Sequence, residues 1–303
     1  MANRMLHLFI VFLPITLFGA NDPQISLSKV TPEGGVAYTQ ITSIVEDNHG
    51  KIWFSTNNGL FSYNSINIKR YRHFRRNSTI SSNRINTLYK DNPGKLWVAT
   101  ANGLCSYNDK SDDFIRYNIT NDHNDVVGKN ISSFFQDDSG TYWMADENGI
   151  ATFDPETKKA NYKNKKKKDA RINVATLSAD QTIWVFYNDG DIYYLTKDSQ
   201  VFQYFKTGFD STVSAVLIEE EVIWIGYQSI GLVRMNKKDG SITHRFNSKA
   251  MGERLPGDRI RSLIKDEENQ IWVATNNGIA IIQNNKVKLI IEKQKNYELP
   301  HHS

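Results

Sequence analysis

The sequence predicts an all-β fold, a β-propeller of four-stranded blades with six complete repeats, from three observations. All six tryptophans recur at near-constant spacing, at Trp53, Trp97, Trp143, Trp184, Trp224 and Trp272, with intervals of 44, 46, 41, 40 and 48 residues. An acidic turn precedes the Trp: Asp47-Asn48-His49-Gly50-Lys51-Ile52-Trp53 is echoed by Asp91-Asn92-Pro93-Gly94-Lys95-Leu96-Trp97 and by Asp137-Asp138-Ser139-Gly140-Thr141-Tyr142-Trp143. A second turn follows it, at Asn58-Gly59, Asn102-Gly103, Asn148-Gly149, Asp189-Gly190, Ile230-Gly231 and Asn277-Gly278. A fixed period of this length requires one repeating supersecondary unit.

Residues 1–20 read as a signal peptide. Arg4 precedes the largely apolar run Met5 to Phe18, and the small Gly19 and Ala20 lie before polar Asn21; a positive start, an apolar core and a small-residue exit are what export machinery reads. Phe18 is large for its place three residues before a cut after Ala20, so an uncleaved N-terminal anchor is the alternative. No later apolar stretch reaches the roughly 18 residues of a membrane span. The expected location is the periplasm.

Residues 21–40 hold Ile25 to Val30, a candidate closing outer strand, and residues 41–291 hold the six blades. In the first repeat the strands are expected at Ile41 to Glu46, Ile52 to Ser55, Leu60 to Tyr63 and Ile68 to Phe74. Short runs rich in Ile, Val, Trp, Phe and Tyr between Gly, Asn and Asp are strand signals, and four such strands in about 40–45 residues make a propeller blade. The Asn-Gly and Asp-Gly pairs favour the positive φ of tight hairpins. Two residues after the Trp stands a small residue in most copies (Ser55, Ala99, Ala145, Gly226, Ala274), suited to close approach of neighbouring blades, with Phe186 the exception. The tryptophans are expected as core. Residues 292–303 resemble a lead-in to a further blade, because Glu298-Leu299-Pro300 matches Arg254-Leu255-Pro256. An incomplete seven-bladed propeller is therefore expected, with six-bladed closure as the alternative.

Composition narrows the function. Lys and Arg number 37 against 33 Asp and Glu, a net charge of +4, but Lys165 to Lys168 alone account for four positive charges. A nucleic-acid binder spreads its charge over a face, so that class is excluded. The only cysteine, Cys105, permits neither an internal disulfide nor a Cys-based zinc site, and it reads as a small buried apolar residue. Histidines 49, 73, 123 and 244 show no ligand spacing. No metal or cofactor is expected.

The repeat resembles the two-component regulator propeller repeats of the periplasmic sensor region of hybrid two-component systems from glycan-degrading Gram-negative bacteria. The likeness rests on Trp53-Phe54-Ser55-Thr56-Asn57-Asn58-Gly59-Leu60 and Trp272-Val273-Ala274-Thr275-Asn276-Asn277-Gly278-Ile279, with the acidic turn before each. It implies a seven-bladed propeller, an oligosaccharide or other glycan ligand, and, in full-length relatives, a sensor dimer with a membrane helix and a histidine kinase. No kinase segment stands in this sequence, so the expected role is that of a truncated or fragmentary N-terminal sensing portion.

Ligand-binding candidates come from the loops after the second strand, which in a propeller share one end of the blades with the inter-blade connections. Blades one, two and six carry Thr-Asn-Asn or Thr-Ala-Asn there, whereas blades three, four and five carry Asp146-Glu147, Tyr187-Asn188-Asp189 and Tyr227-Gln228-Ser229. Aromatic and polar groups of this kind stack on and hydrogen-bond sugars; ordinary turn residues are the plainer reading. Lys163 to Lys168 suggest a solvated loop or a contact for a polyanionic glycan, one that salt would weaken. No catalytic residue is expected. An enzyme on this fold would need converging carboxylates, for which only Asp146, Glu147 and Asp189 qualify, and a protein-binding scaffold needs only the propeller surface.

Overall fold

A computed structural model describes residues 41–75, 78–165, 170–199, 201–251 and 254–292. The signal peptide, the outer strand at Ile25 to Val30, the lysines at 166–168 and the lead-in at 293–303 lie outside the described residues. Each repeat folds into one antiparallel four-stranded sheet whose strands follow chain order, giving six propeller blades. Blade one comprises Ile41–Glu46, Ile52–Thr56, Gly59–Tyr63 and Ile68–Tyr71. Blades two to six begin with Ile85–Lys90, Ser133–Gln136, Ile172–Leu177, Val213–Ile218 and Ile260–Lys265.

Two local expectations are corrected. The fourth strand of blade one stops at Tyr71 rather than Phe74, because the next amides are taken by side chains: His73 N donates to Asn83 Oδ1 at 2.7 Å and Phe74 N to Thr79 Oγ1 at 3.0 Å. The Asn-Gly pair does not form the centre of its hairpin. Thr56 pairs with Gly59, so Asn57 and Asn58 are the central residues, and only Gly59, at φ 120°, takes the positive angle. Thr56 Oγ1 holds this turn by accepting Asn58 N at 2.9 Å.

Side chains alternate across a strand, so each blade has two faces, and both are apolar. The Trp face of one blade packs on the opposite face of the next. Trp53 clusters with Ile85, Leu88 and Val98 of blade two, Trp97 with Phe134 and Met144 of blade three, and Trp224 with Ile260 and Val273 of blade six. Each such apolar side chain contributes roughly 1.5–3 kcal/mol on burial. The small residue two positions after the Trp sets the spacing: a Cβ on Gly226 would lie 2.5 Å from Ile260 Cγ2. Phe186 breaks the pattern because it is itself buried against Val213 and Ile223 of blade five. Cys105 is buried in the cluster between blades one and two.

The acidic turn anchors the tryptophan. Asp47 Oδ1 accepts His49 N and Lys51 N, and its Oδ2 accepts Trp53 Nε1 at 2.8 Å. Asp91, Asp137 and Asp266 accept Trp97, Trp143 and Trp272 in the same way at 2.8, 2.8 and 2.6 Å. Ser178 and Glu219 take over in blades four and five, accepting Trp184 and Trp224 at 3.1 and 2.7 Å. A buried indole N–H otherwise lacks water and would be costly, so one side chain both closes the turn and satisfies the ring.

Candidate functional site

The loops after the second strands and the connections between blades meet at one end of the blades, as expected. In blade three this meeting is explicit. Asp146 ends the second strand, Tyr142–Asp146, at the position held by Thr56 in blade one. Its Oδ1 accepts Asn148 N at 2.7 Å, which is the Thr56 role, while its Oδ2 accepts Gly128 N of the incoming connection at 3.0 Å and the Tyr162 hydroxyl at 2.6 Å. Burial pushes the Asp146 carboxyl above its usual range, against the three donors. Burial first, and then Asp146, push the Tyr162 phenol upward, in keeping with its hydroxyl donating to Asp146.

Beside this pair, of which Asp146 is buried and Tyr162 half-buried, lies an open cleft of about 560 Å³. Tyr162 and Asn161 come from the fourth strand, Glu147 and Asn148 from the turn, and Asp122, His123, Asp125 and Lys129 from the connection between blades two and three. The connection is held by Asn121, whose Oδ1 accepts His123 N and Asp125 N, each at 2.9 Å. Thr120 also bridges to Lys159 at the start of the fourth strand. The cleft thus has one anchored phenol ring in its wall and a rim of amides and carboxylates. Both oxygens of Asp146 are engaged by these three donors, so it braces the cleft from behind.

The other expected site residues fare differently. Tyr187 and Tyr227 are buried, Tyr187 with Phe135 and Trp143 of blade three and Tyr227 with Trp184 and Phe186 of blade four. Neither offers a ring face to a ligand. Each stands three residues after its Trp, on the face turned to the preceding blade. Burial pushes the Tyr227 phenol up to about 12 against an opposing pull from the Thr207 side chain, and its hydroxyl makes no hydrogen bond of normal geometry. Asn188 ties the turn to the connection before blade four: its N donates to Arg171 O at 3.0 Å and its Oδ1 accepts Arg171 N at 2.8 Å. Asp189 Oδ1 accepts Asp191 N, Gln228 N donates to Thr212 O, and the Gln228 side chain is exposed. Of the expected set, only Glu147, with Asp146 behind it, joins the cleft. Tyr162 and Asn161 were missed because the repeat motif marks no fourth-strand position; the pairing of Ala151 with Tyr162 is what brings that ring to the turn.

A second cleft, of about 410 Å³, lies between blades three and four at the acidic-turn end. Trp143, Ile183, Leu195 and Phe202 line it together with Lys163 and Lys197. Lys163 is the one member of the lysine run whose surroundings are described.

The family model described as "Two component regulator propeller" matches residues 35–58, 79–102 and 254–277. These are the blades whose second strand ends in Thr56, Thr100 and Thr275, so the departures in blades three to five separate them from the family pattern. No curated protein matches the chain. Among solved structures, the chain is similar to the extracellular domain of the hybrid two component system BT4673 from B. thetaiotaomicron, at 22% identity and a TM-score of 0.70, over 88% of this chain and 38% of that one. It is similar to the extracellular domain of the hybrid two component system BT3049 of the same organism, at 17% identity and 0.63, over 88% and 49%. It is also similar to PorZ, a surface component of the type-IX secretion system of Porphyromonas gingivalis, at 15% identity and 0.58, over 79% and 38%. The chain therefore spans less than half the length of these proteins. The chain is therefore a β-propeller of six blades, three of which contain a segment that matches the two component regulator propeller model.

Proposed function

We propose that the chain is the ligand-reading, non-catalytic extracellular propeller of a two-component-type sensor, exported to the periplasm, and that its ligand is a polyhydroxylated molecule of the oligosaccharide class bound at the blade-three cleft. The observation that carries this reading is the anchored Tyr162 ring beside the rim of Asn148, Asn161, Glu147 and Asp125. Phenol faces stack on the apolar face of a pyranose, and amides and carboxylates at the rim hydrogen-bond its hydroxyls. The departure of blade three from the Thr turn of its relatives, and the locking of Asp146 against Gly128 and Tyr162, support a site specialised on one blade. In this reading the chain supplies the sensing portion, and the phosphotransfer parts belong to the rest of the signalling system.

The test is a thermal-unfolding screen against neutral, uronic and sulfated oligosaccharides. A ligand that binds only the folded chain stabilises it by RT ln(1 + [L]/Kd), about 2.7 kcal/mol at a hundredfold excess over Kd. A saturable upward shift with one glycan class supports the reading. No shift with any class would sink it.

A further inference from the structure

We propose that the cleft between blades three and four binds an aromatic carboxylate, whose ring packs against Trp143 and whose carboxylate pairs with Lys163 and Lys197.

Blades one, two, four and five each cover their Trp with a ring from the fourth strand. Ser55, Ala99, Phe186 and Gly226, two residues after the Trp, pair with Leu60, Leu104, Ile192 and Leu232 of the third strand. Opposite these the fourth strand places Tyr71, Tyr117, Phe205 and Phe246. Their ring centroids lie 5.4, 5.1, 6.4 and 5.8 Å from those of Trp53, Trp97, Trp184 and Trp224. In blade three Ala145 pairs with Ile150 in the same way, but the fourth strand bulges there, so that Lys163 and Asn164 together stand opposite Ile150. Neither carries a ring. The one ring of that strand, Tyr162, packs on the other face with Ala151 and Phe153. Trp143 is accordingly 7% exposed, whereas Trp53, Trp97, Trp184 and Trp224 are at most 3%.

The cleft of about 410 Å³ opens at this place. Its apolar wall is Trp143 of blade three with Ile183, Leu195 and Phe202 of blade four. A flat ring brought by a ligand would make there the offset or edge contact that the fourth-strand rings make in their own blades. The charged groups lining the cleft set the sign of the ligand. Asp137 is engaged within its own turn, its Oδ1 accepting Ser139 N, Ser139 Oγ and Thr141 N and its Oδ2 accepting Trp143 Nε1. That leaves Lys163 and Lys197 against Asp138, all three exposed. Among the described residues neither lysine belongs to an ion pair. Lys163 comes from the bulge, the kind of irregularity that re-aims a side chain beside a site, and Lys197 from the connection before the fourth strand of blade four. The surplus of one positive charge suits a monoanion, and Lys165 to Lys168, next in sequence, strengthen the positive field. An apolar wall with a few polar groups at the mouth takes a ligand with an apolar body and one polar end.

The experiment is isothermal titration of the full chain with naphthoate and with its uncharged analogue naphthamide, in the wild type, Lys163→Gln, Lys197→Gln and Lys163→Tyr. The wild type should bind naphthoate at one site and several-fold more tightly than naphthamide. Lys163→Gln and Lys197→Gln should each weaken naphthoate about two- to fivefold, the range of an exposed ion pair, and leave naphthamide unchanged. Lys163→Tyr gives blade three the ring that its neighbours have, so it should abolish binding of both compounds and unfold at the same or a higher temperature. No saturable naphthoate binding by the wild type overturns the proposal, as does equal affinity for the two compounds. So does undiminished binding by Lys163→Tyr, or a lowered unfolding temperature in that variant, which would show that no ring fits beside Trp143.

Discussion

Asp91 accepts the Trp97 indole N–H at 2.8 Å through the same oxygen that accepts the Tyr142 hydroxyl of blade three at 2.7 Å. A single buried carboxylate therefore fixes the turn, seats the Trp and reaches the next blade, with Lys95 N on its other oxygen at 2.7 Å. Replacing it should be costly. Asp91→Ala strands three donors, two of them on large rings, and should destabilise the chain by about 2–5 kcal/mol. The more exposed Asp47→Ala should cost about 1–2 kcal/mol. Urea unfolding of the two variants checks the order; equal losses would show that the reach to blade three contributes nothing.

Gly226 is required by its neighbour rather than by its own backbone, since it has no positive φ and its missing Cβ would meet Ile260 of blade six. Gly226→Ala should destabilise by about 1–3 kcal/mol through overpacking. Ile260→Ala in the same chain should recover part of that loss. A double-mutant cycle with no coupling would contradict direct contact between the two positions.

Tyr227→Phe should be neutral or stabilising. The hydroxyl it removes is buried without a hydrogen bond of normal geometry, and burying such a group carries a desolvation cost of about 1–3 kcal/mol. Tyr187→Phe and Tyr227→Phe should also leave ligand affinity unchanged, because both rings belong to the inter-blade core. A loss of affinity in either variant would return these tyrosines to the binding surface.

Acid should weaken the fold through the Trp anchors. Burial nudges Asp47, Asp137 and Asp266 upward, but the indole donors and turn amides, joined for Asp137 by the Ser139 hydroxyl, outweigh it and hold each carboxyl below the usual carboxylate range. A folded pKa below the unfolded one contributes stability above the unfolded value and loses it as pH falls through the folded one. Unfolding free energy should therefore decline steadily below about pH 4. Asp146 acts in the opposite sense, since its raised pKa makes its ionised form costly. Asp47→Asn should lower stability at neutral pH and flatten the acid slope; an unchanged slope would assign it to other groups.

The blades were legible because each carries a Trp, and a Trp needs a large apolar slot and a partner for its N–H, which together impose a turn and a neighbouring blade. Strand parity carries the burial of the two tyrosines as well. Tyr187 and Tyr227 lie three residues after Trp184 and Trp224, an odd step that puts them on the face opposite the Trp and against the preceding blade. Reading them as loop residues made them look free to bind. Asp146 obeys the same parity and is buried for the same reason. Tyr162 was beyond reach, because the fourth strand of blade three shifts register beside Ala151 and no local pattern announces which side chain arrives at the turn.

Isothermal titration of the chain with the oligosaccharide class that raises its unfolding temperature, repeated with Glu147→Ala and Asn161→Ala, tests the central claim most directly. The account predicts one site per chain, with affinity reduced about tenfold or more in each variant, as expected when a buried polar contact to a ligand worth about 1.5 kcal/mol or more is lost. Wild-type affinity in both variants would place the ligand elsewhere and contradict the assignment of the blade-three cleft.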